Sequence, residues 1–241
     1  MVRVRSSTAS FSCPVDPLIV GSDAVKPAGC VRDLGIYVDS ALSMTSHVTR
    51  TVSGCFAALR QIRSIRRSVT RPVLLSLVAS LVLSRLDYGL TTLAGLPAQQ
   101  LNRLQSVLNA AARLVYSARK FDHITPLLKD LHWLRIPERI QYRLSLLVFR
   151  CLHGQSPRYL ADELQRTSDV ESRRRLRSAS TASLVVPATK HSTIGDRAFP
   201  VAAARAWNCL PDDVTSLNSL PSFKRRLKTE LFRHSFPDAG H

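Results

Sequence analysis

Residues 45–67 read TSHVTRTVSGCFAALRQIRSIRR, and the spacing of their apolar and basic members predicts a helix with two unlike faces. Ser43 or Thr45 offers a hydroxyl to cap it, and the pattern runs to about Arg67. Wound at about 100° per residue, the stretch gathers Cys55, Leu59, Ile62, Ile65 and Val69 on one side. Arg60, Arg63, Arg67 and Arg71 fall roughly opposite. A solvated helix face ordinarily mixes Glu with Arg, because opposite charges three or four residues apart stabilise each other. This face contains no acid. It is expected to meet phosphate, with Arg60, Arg63, Arg67 and Arg71 as contacts that read no base sequence.

The neighbouring sequence continues both the charge and the period. From Ser40 to Lys120 the chain has eleven Arg or Lys and one acid, Asp87, so this stretch carries +10 of the formal +17. With 34 Lys or Arg against 17 Asp or Glu and a pI near 10.8, the chain is expected to bind a polyanion, most commonly nucleic acid. Thr70-Arg71-Pro72 is a good helix start, and the second helix is expected to run to about Leu93 with Gly95 as its stop. Pro97 opens a third, to about Tyr116, with Leu101, Leu104, Leu108, Ala111, Ala112 and Val115 as its buried stripe. Short connections make the three neighbours antiparallel.

Outward from this bundle the signals thin. Residues 1–30 hold Pro14, Pro17, Gly21, Pro27 and Gly29 and read as a loose leader with one short strand at Leu18–Val20. A short strand is expected at 31–38. On the other side come helices near 126–131, 137–153 and 157–164, a basic linker at 165–182 holding Arg173, Arg174, Arg175 and Arg177, and helices near 196–208 and 222–232. The expected fold is mainly α: a helical bundle over 31–120, a helical extension over 121–164, the linker, and a smaller helical region over 183–241.

Independent chemistry is not expected. Metal-dependent phosphoryl or nucleotidyl transfer needs carboxylates converging on Mg²⁺, and the adjacent pair Asp212-Asp213 reads more simply as a helix start. Seven His and five Cys show no CxxC, HxxxH or HExxH spacing, so neither metal nor cofactor is expected. Trp133 and Trp207 read as core anchors, with base stacking as the alternative. The longest apolar run, Val73 to Leu83, is too short for a membrane span of roughly 20 residues. Cys13, Cys30, Cys55, Cys151 and Cys209 read as reduced thiols in a nuclear or cytoplasmic protein. The Arg- and Ser-containing, acid-free residues 1–13 leave a mitochondrial location as the lesser alternative.

Several strings, in order, resemble the C-terminal part of LINE-type (non-LTR) retrotransposon reverse transcriptases. VRDLGIYVD at 31–39 is similar to the segment where palm hands over to thumb. SRLDY at 84–88, Gly95-Leu96-Pro97, NAAARL at 109–114 and DHITPLLKDLHWL at 122–134 follow. Arg139-Ile140, residues 146–154, GDRAF at 195–199, Trp207-Asn208 with Leu210-Pro211, Phe223-Lys224 and Leu227-Lys228 complete the series. The resemblance spans roughly 31–233 and implies a thumb-like helical bundle that grips an RNA or RNA/DNA template–primer backbone. In that family the catalytic carboxylates lie upstream of the LG block. Here thirty residues precede it, without the family's F/Y-x-DD hairpin, so the chain looks like a thumb and C-terminal region severed from its polymerase and lacking polymerase activity. The alternatives are a helical scaffold that binds a reverse transcriptase palm or an acidic protein, and a mitochondrial RNA-binding module.

Overall fold

A computed structural model describes residues 16–169, 183–191 and 193–237. The basic linker expected at 165–182 and residues 1–13 of the leader fall largely or wholly outside them. The fold is mainly α, with two small antiparallel sheets of two strands each. The chain divides into two compact units, residues 1–50 and 51–241.

The first unit carries two hairpins. Strands β1 (Leu18–Val20) and β2 (Asp23–Val25) pair with Val20 opposite Asp23, and β3 (Cys30–Asp33) pairs with β4 (Ile36–Asp39) with Asp33 opposite Ile36. The single strand expected at 31–38 is therefore a hairpin. Leu34 (φ +44°) and Gly35 (φ +85°) form its two-residue turn, and two successive left-handed residues match the twist of the paired strands. Asp39 then closes the turn that follows: its carboxylate accepts from the Ser43 backbone N–H at 2.6 Å and from the Ser43 hydroxyl at 3.0 Å.

Helix α1 (Thr45–Ile65) starts in this unit and continues into the second. Next come α2 (Arg71–Val78), a π-helical segment at Ala79–Leu83, and α3 (Ser84–Asp87). The π segment has a sequence cause. Leu74, Val78, Val82 and Leu86 are each four residues apart and all are buried. In an α-helix a step of four overshoots one turn by about 40°, so such a row drifts off its face. A wider π turn rotates less per residue and brings the row back. The helix expected to reach Leu93 ends at Asp87 instead, because Tyr88 turns extended (φ −70°, ψ 126°), and residues 90–93 form a separate 3₁₀ turn.

Helix α4 (Ala98–Tyr116) buries Leu104, Val107, Leu108, Ala111, Ala112 and Val115, close to the expected stripe. Helices α5 (Ile124–Asp130), α6 (Ile136–Leu152) and α7 (Arg158–Ala161) follow, then α8 (Phe199–Asn208), α9 (Asp212–Thr215) and α10 (Leu220–Ser235). The extension and the C-terminal region share one core. Val148 and Phe149 of α6 pack with Ala203, Ala204 and Trp207 of α8 and Phe223, Leu227 and Leu231 of α10. Phe149 and Phe223 stack at 4.4 Å between centroids. Aromatic burial of this kind makes α6 the central helix of the 51–241 unit rather than an appendage.

Candidate nucleic-acid interface

The C-terminal end of α1 presents the arginines. Cys55, Leu59 and Ile62 are buried as the periodicity requires, which turns Arg60 and Arg63 outward. Ile65, expected in the apolar stripe, is 45% exposed. The cause is local: α1 stops at Ile65, Arg66–Ser68 tighten into a 3₁₀ turn, and Val69 is extended (φ −124°, ψ 151°). The continuous face drawn from Arg60 to Arg71 is thus broken before its last member. Arg60, Arg63 and Arg67 are exposed, and Arg66, outside the expected arginine face, is half-buried beside them. None of the four guanidinium groups has a salt bridge among the described residues.

Arg71 belongs elsewhere. It opens α2, its Nη2 lies 3.4 Å from Asp130 Oδ2, and its guanidinium sits 4.5 Å over the Tyr116 ring. The Tyr116 hydroxyl also donates to Asp130. The expectation that no acid answers the arginine face therefore fails at Arg71. Asp130 lies 59 residues further along the chain, beyond the reach of a helical projection.

The sole acid of the 40–120 stretch is neutralised in the same long-range way. Arg139 of α6 donates to both oxygens of Asp87, Nε to Oδ1 at 3.0 Å and Nη2 to Oδ2 at 2.7 Å, and Arg143 Nη2 adds a contact at 3.3 Å. Asp87 is thereby paired with two cations of α6 through charge-assisted hydrogen bonds. A second basic run lies on α10, with Lys224, Arg225 and Lys228 in the sequence KRRLK at 224–228.

The adjacent carboxylates Asp212 and Asp213 occupy the first turn of α9, and Arg226 Nε donates to Asp213 Oδ2 at 2.8 Å. Among the described residues no group of three or more His, Cys, Asp or Glu is placed to hold a metal ion. No helix among them is long and apolar enough to cross a membrane. Cys55 lies against the Val82 carbonyl at 3.7 Å, and burial pushes its thiol up to about 11 against the opposing pull of Arg85. It is a packing residue. Cys30, Cys55, Cys151 and Cys209 are all free thiols.

The strings that carry the resemblance build tertiary contacts. Asp87 meets Arg139 as above. Gly95, at φ +69°, lets the Arg197 side chain come so close that a Cβ there would lie 2.9 Å from Arg197 Cγ. Asn208 holds both backbone groups of Leu184, accepting its N–H and donating to its C=O at 2.8 Å each. Asp196 accepts from Thr189 at 2.9 Å and Arg205 at 3.1 Å, and these hydrogen bonds hold its carboxyl below the usual range. Family models, characterised proteins and solved structures yield no match to this chain.

Proposed function

We propose that this protein binds nucleic acid through its backbone phosphates, as a relative of the thumb and C-terminal region of LINE-type reverse transcriptases, without polymerase activity of its own. The observation that carries this reading is the cluster Arg60, Arg63, Arg66 and Arg67: exposed or half-buried at one helix end, without a salt bridge among the described residues. Its ligand is an RNA or RNA/DNA backbone, in the nucleus or cytoplasm, and it needs no cofactor.

Replacing Arg60, Arg63 and Arg67 with Gln tests this directly. Each neutralised phosphate releases condensed counterions, so the log–log salt slope should shrink by roughly 2 to 3 units on duplex DNA. Affinity for unrelated sequences should fall alike. An unchanged slope with intact helicity refutes the phosphate reading. Primer extension on an RNA template with Mg²⁺ or Mn²⁺ should give no templated product, and a product abolished by Asp212→Ala overturns the reading of that pair as a helix start.

One observation favours the scaffold reading. Both hairpins of the first unit expose apolar side chains: Leu18 and Ile19 at 68%, Leu34 at 84%, with Val20, Val25 and Val31 also exposed. A two-stranded sheet is marginal by itself, and such surface is ordinarily covered by further strands. Co-purification with a reverse transcriptase palm that is lost on Ile19→Lys and Leu34→Lys, with the salt slope unchanged, would put this reading first.

A further inference from the structure

The 51–241 unit has a cavity of about 270 Å³ where the loop after α5, α6 and α10 meet. Its charged walls are Arg139, Arg143 and Lys228, facing the single acid Asp87. Asp87 is held on both oxygens by Arg139, whereas Arg143 makes one contact to it at 3.3 Å and stays about half exposed. Lys228 has no ion pair among the described residues. The concavity therefore holds an excess of two positive charges, with donors free on two sides. A neighbouring cavity of about 450 Å³ shares Asp87 and Arg143.

Leu83, Leu134 and the rings of His132, Trp133 and Tyr142 make the rest of the wall. Trp207 is buried in the core, but Trp133 is half-buried and lines the cavity with Tyr142. The Trp133 indole N–H has no hydrogen-bond partner among the described residues. Burial pushes the Tyr142 phenol up, against the pull of Arg143, so its hydroxyl stays a donor at neutral pH. His132 occupies the left-handed position (φ +52°) that ends α5, where Gly is the usual residue. The cap is held by His132 N–H to the Lys129 carbonyl at 3.0 Å and Trp133 N–H to the Leu128 carbonyl at 3.0 Å. The His132 ring also donates from Nδ1 to that Lys129 carbonyl at 2.8 Å. A costly backbone conformation thus sets an imidazole and an indole side by side at the cavity.

We infer that this cavity is a nucleotide site: it takes one unpaired nucleotide, its base against Trp133 and Tyr142 and its phosphate between Arg143 and Lys228. At about 270 Å³ the cavity lies just under the roughly 300 to 1,000 Å³ usual for small-ligand sites, so it seats one nucleotide unit at most and no extended ligand. Stacking on an aromatic wall tolerates any base, while the paired cations require the phosphate. The ligand class rests on the nucleic-acid reading above, but the residues are separate from the arginines of α1. A free nucleotide and a nucleotide within a single strand present the same chemistry to the cavity.

Intrinsic tryptophan fluorescence of the full chain reads the site. AMP and a short single-stranded oligoadenylate are expected to quench Trp133, and Trp133→Phe, which keeps the apolar bulk, should abolish the quench. Lys228→Gln, at an exposed and unpaired residue, should weaken both ligands about 10-fold, and Arg143→Gln similarly. Tighter binding of the oligoadenylate assigns the site to a strand, and equal or tighter binding of AMP assigns it to free nucleotide. The Arg60, Arg63 and Arg67 variant should leave AMP binding intact even where it abolishes duplex binding, so the two readings fail separately. Quenching that survives in Trp133→Phe, inorganic phosphate that competes as well as AMP, an acidic peptide that binds in place of AMP, or AMP affinity unmoved by Lys228→Gln each overturns the proposal.

Discussion

Removing Asp87 should loosen the 51–241 unit far more than its position in a basic, solvent-facing stretch suggests. Its carboxylate receives three N–H contacts, two of them from Arg139, and the pair is largely shielded: the side chains are 15% exposed for Arg139 and 19% for Asp87. Breaking a fully buried pair costs about 3–5 kcal/mol, because the partner is left charged and dry. Water reaches this pair in part, so Asp87→Ala and Arg139→Ala are each expected to cost about 2–3 kcal/mol. Arg143 is half exposed and makes a single contact at 3.3 Å, so Arg143→Ala should cost less than about 0.5 kcal/mol. In a unit of this size, 1 kcal/mol moves Tm by about 2–4 °C, giving a fall of about 4–12 °C for either large variant.

Urea unfolding followed by tryptophan emission is the assay, since Trp133 and Trp207 both lie in this unit. In the Asp87→Ala, Arg139→Ala cycle the coupling should reach about 1.5–2.5 kcal/mol with the m-value unchanged. A coupling below about 0.5 kcal/mol refutes the argument. So does an Arg143→Ala penalty equal to that of Arg139→Ala. Replacing both partners by Leu should recover most of the loss, because the desolvation penalty disappears with the charges.

Three further outcomes follow from named contacts. His47 is buried and its Nδ1 accepts the Tyr37 backbone N–H at 3.5 Å; burial lowers its pKa, so the unfolded chain binds the proton more readily. Its contribution to stability is therefore present above the unfolded pKa of about 6.5 and lost as pH falls below it, and His47→Asn should flatten the urea midpoint between pH 7.5 and 5. Thiol labelling at pH 8 should modify exposed Cys30 and Cys209 quickly and leave Cys55, with its thiol near 11, protected until urea unfolds the chain. Asn208→Ala removes two 2.8 Å bonds to the Leu184 backbone and should cost about 2–3 kcal/mol by the same unfolding assay.

Periodicity carried the helices because each apolar stripe is a local property: Cys55, Leu59 and Ile62 are buried as spaced, and so are Leu104, Leu108, Ala111, Ala112 and Val115. It failed where a backbone break intervened. Val69 turns extended and detaches Arg71 from the face, and Tyr88 ends a helix expected to reach Leu93. It also failed for partners remote in sequence. Nothing local to Arg71 signals Asp130, and nothing local to Asp87 signals Arg139. Gly35 hid a hairpin inside an apparent strand, since a two-residue turn leaves the run of β-branched residues looking continuous. The cavity at Trp133 has no local signature, because its walls come from Leu83, Asp87 of α3, α6, α10 and the loop between α5 and α6.

The arginines at the end of α1 have a purely structural rival, and magnitudes separate the two. Cations near a helix C-terminus complement the macrodipole by about 0.3–1 kcal/mol, an effect confined to the last turn. Arg63, Arg66 and Arg67 qualify by position, whereas Arg60 lies more than a turn from the end at Ile65. Against that gain stand the like-charge neighbours Arg60 with Arg63, and Arg63 with Arg66 and Arg67, each unfavourable by about 0.2–0.5 kcal/mol. The two contributions are of the same size and opposite sign, so stability gives no reason to keep the cluster. Replacing Arg60, Arg63 and Arg67 with Gln should therefore change unfolding free energy by less than about 1 kcal/mol in either direction while the salt slope of nucleic-acid binding shrinks. A variant that loses more than about 2 kcal/mol shows that the dipole term dominates. The cluster would then be a helix end, not a binding surface.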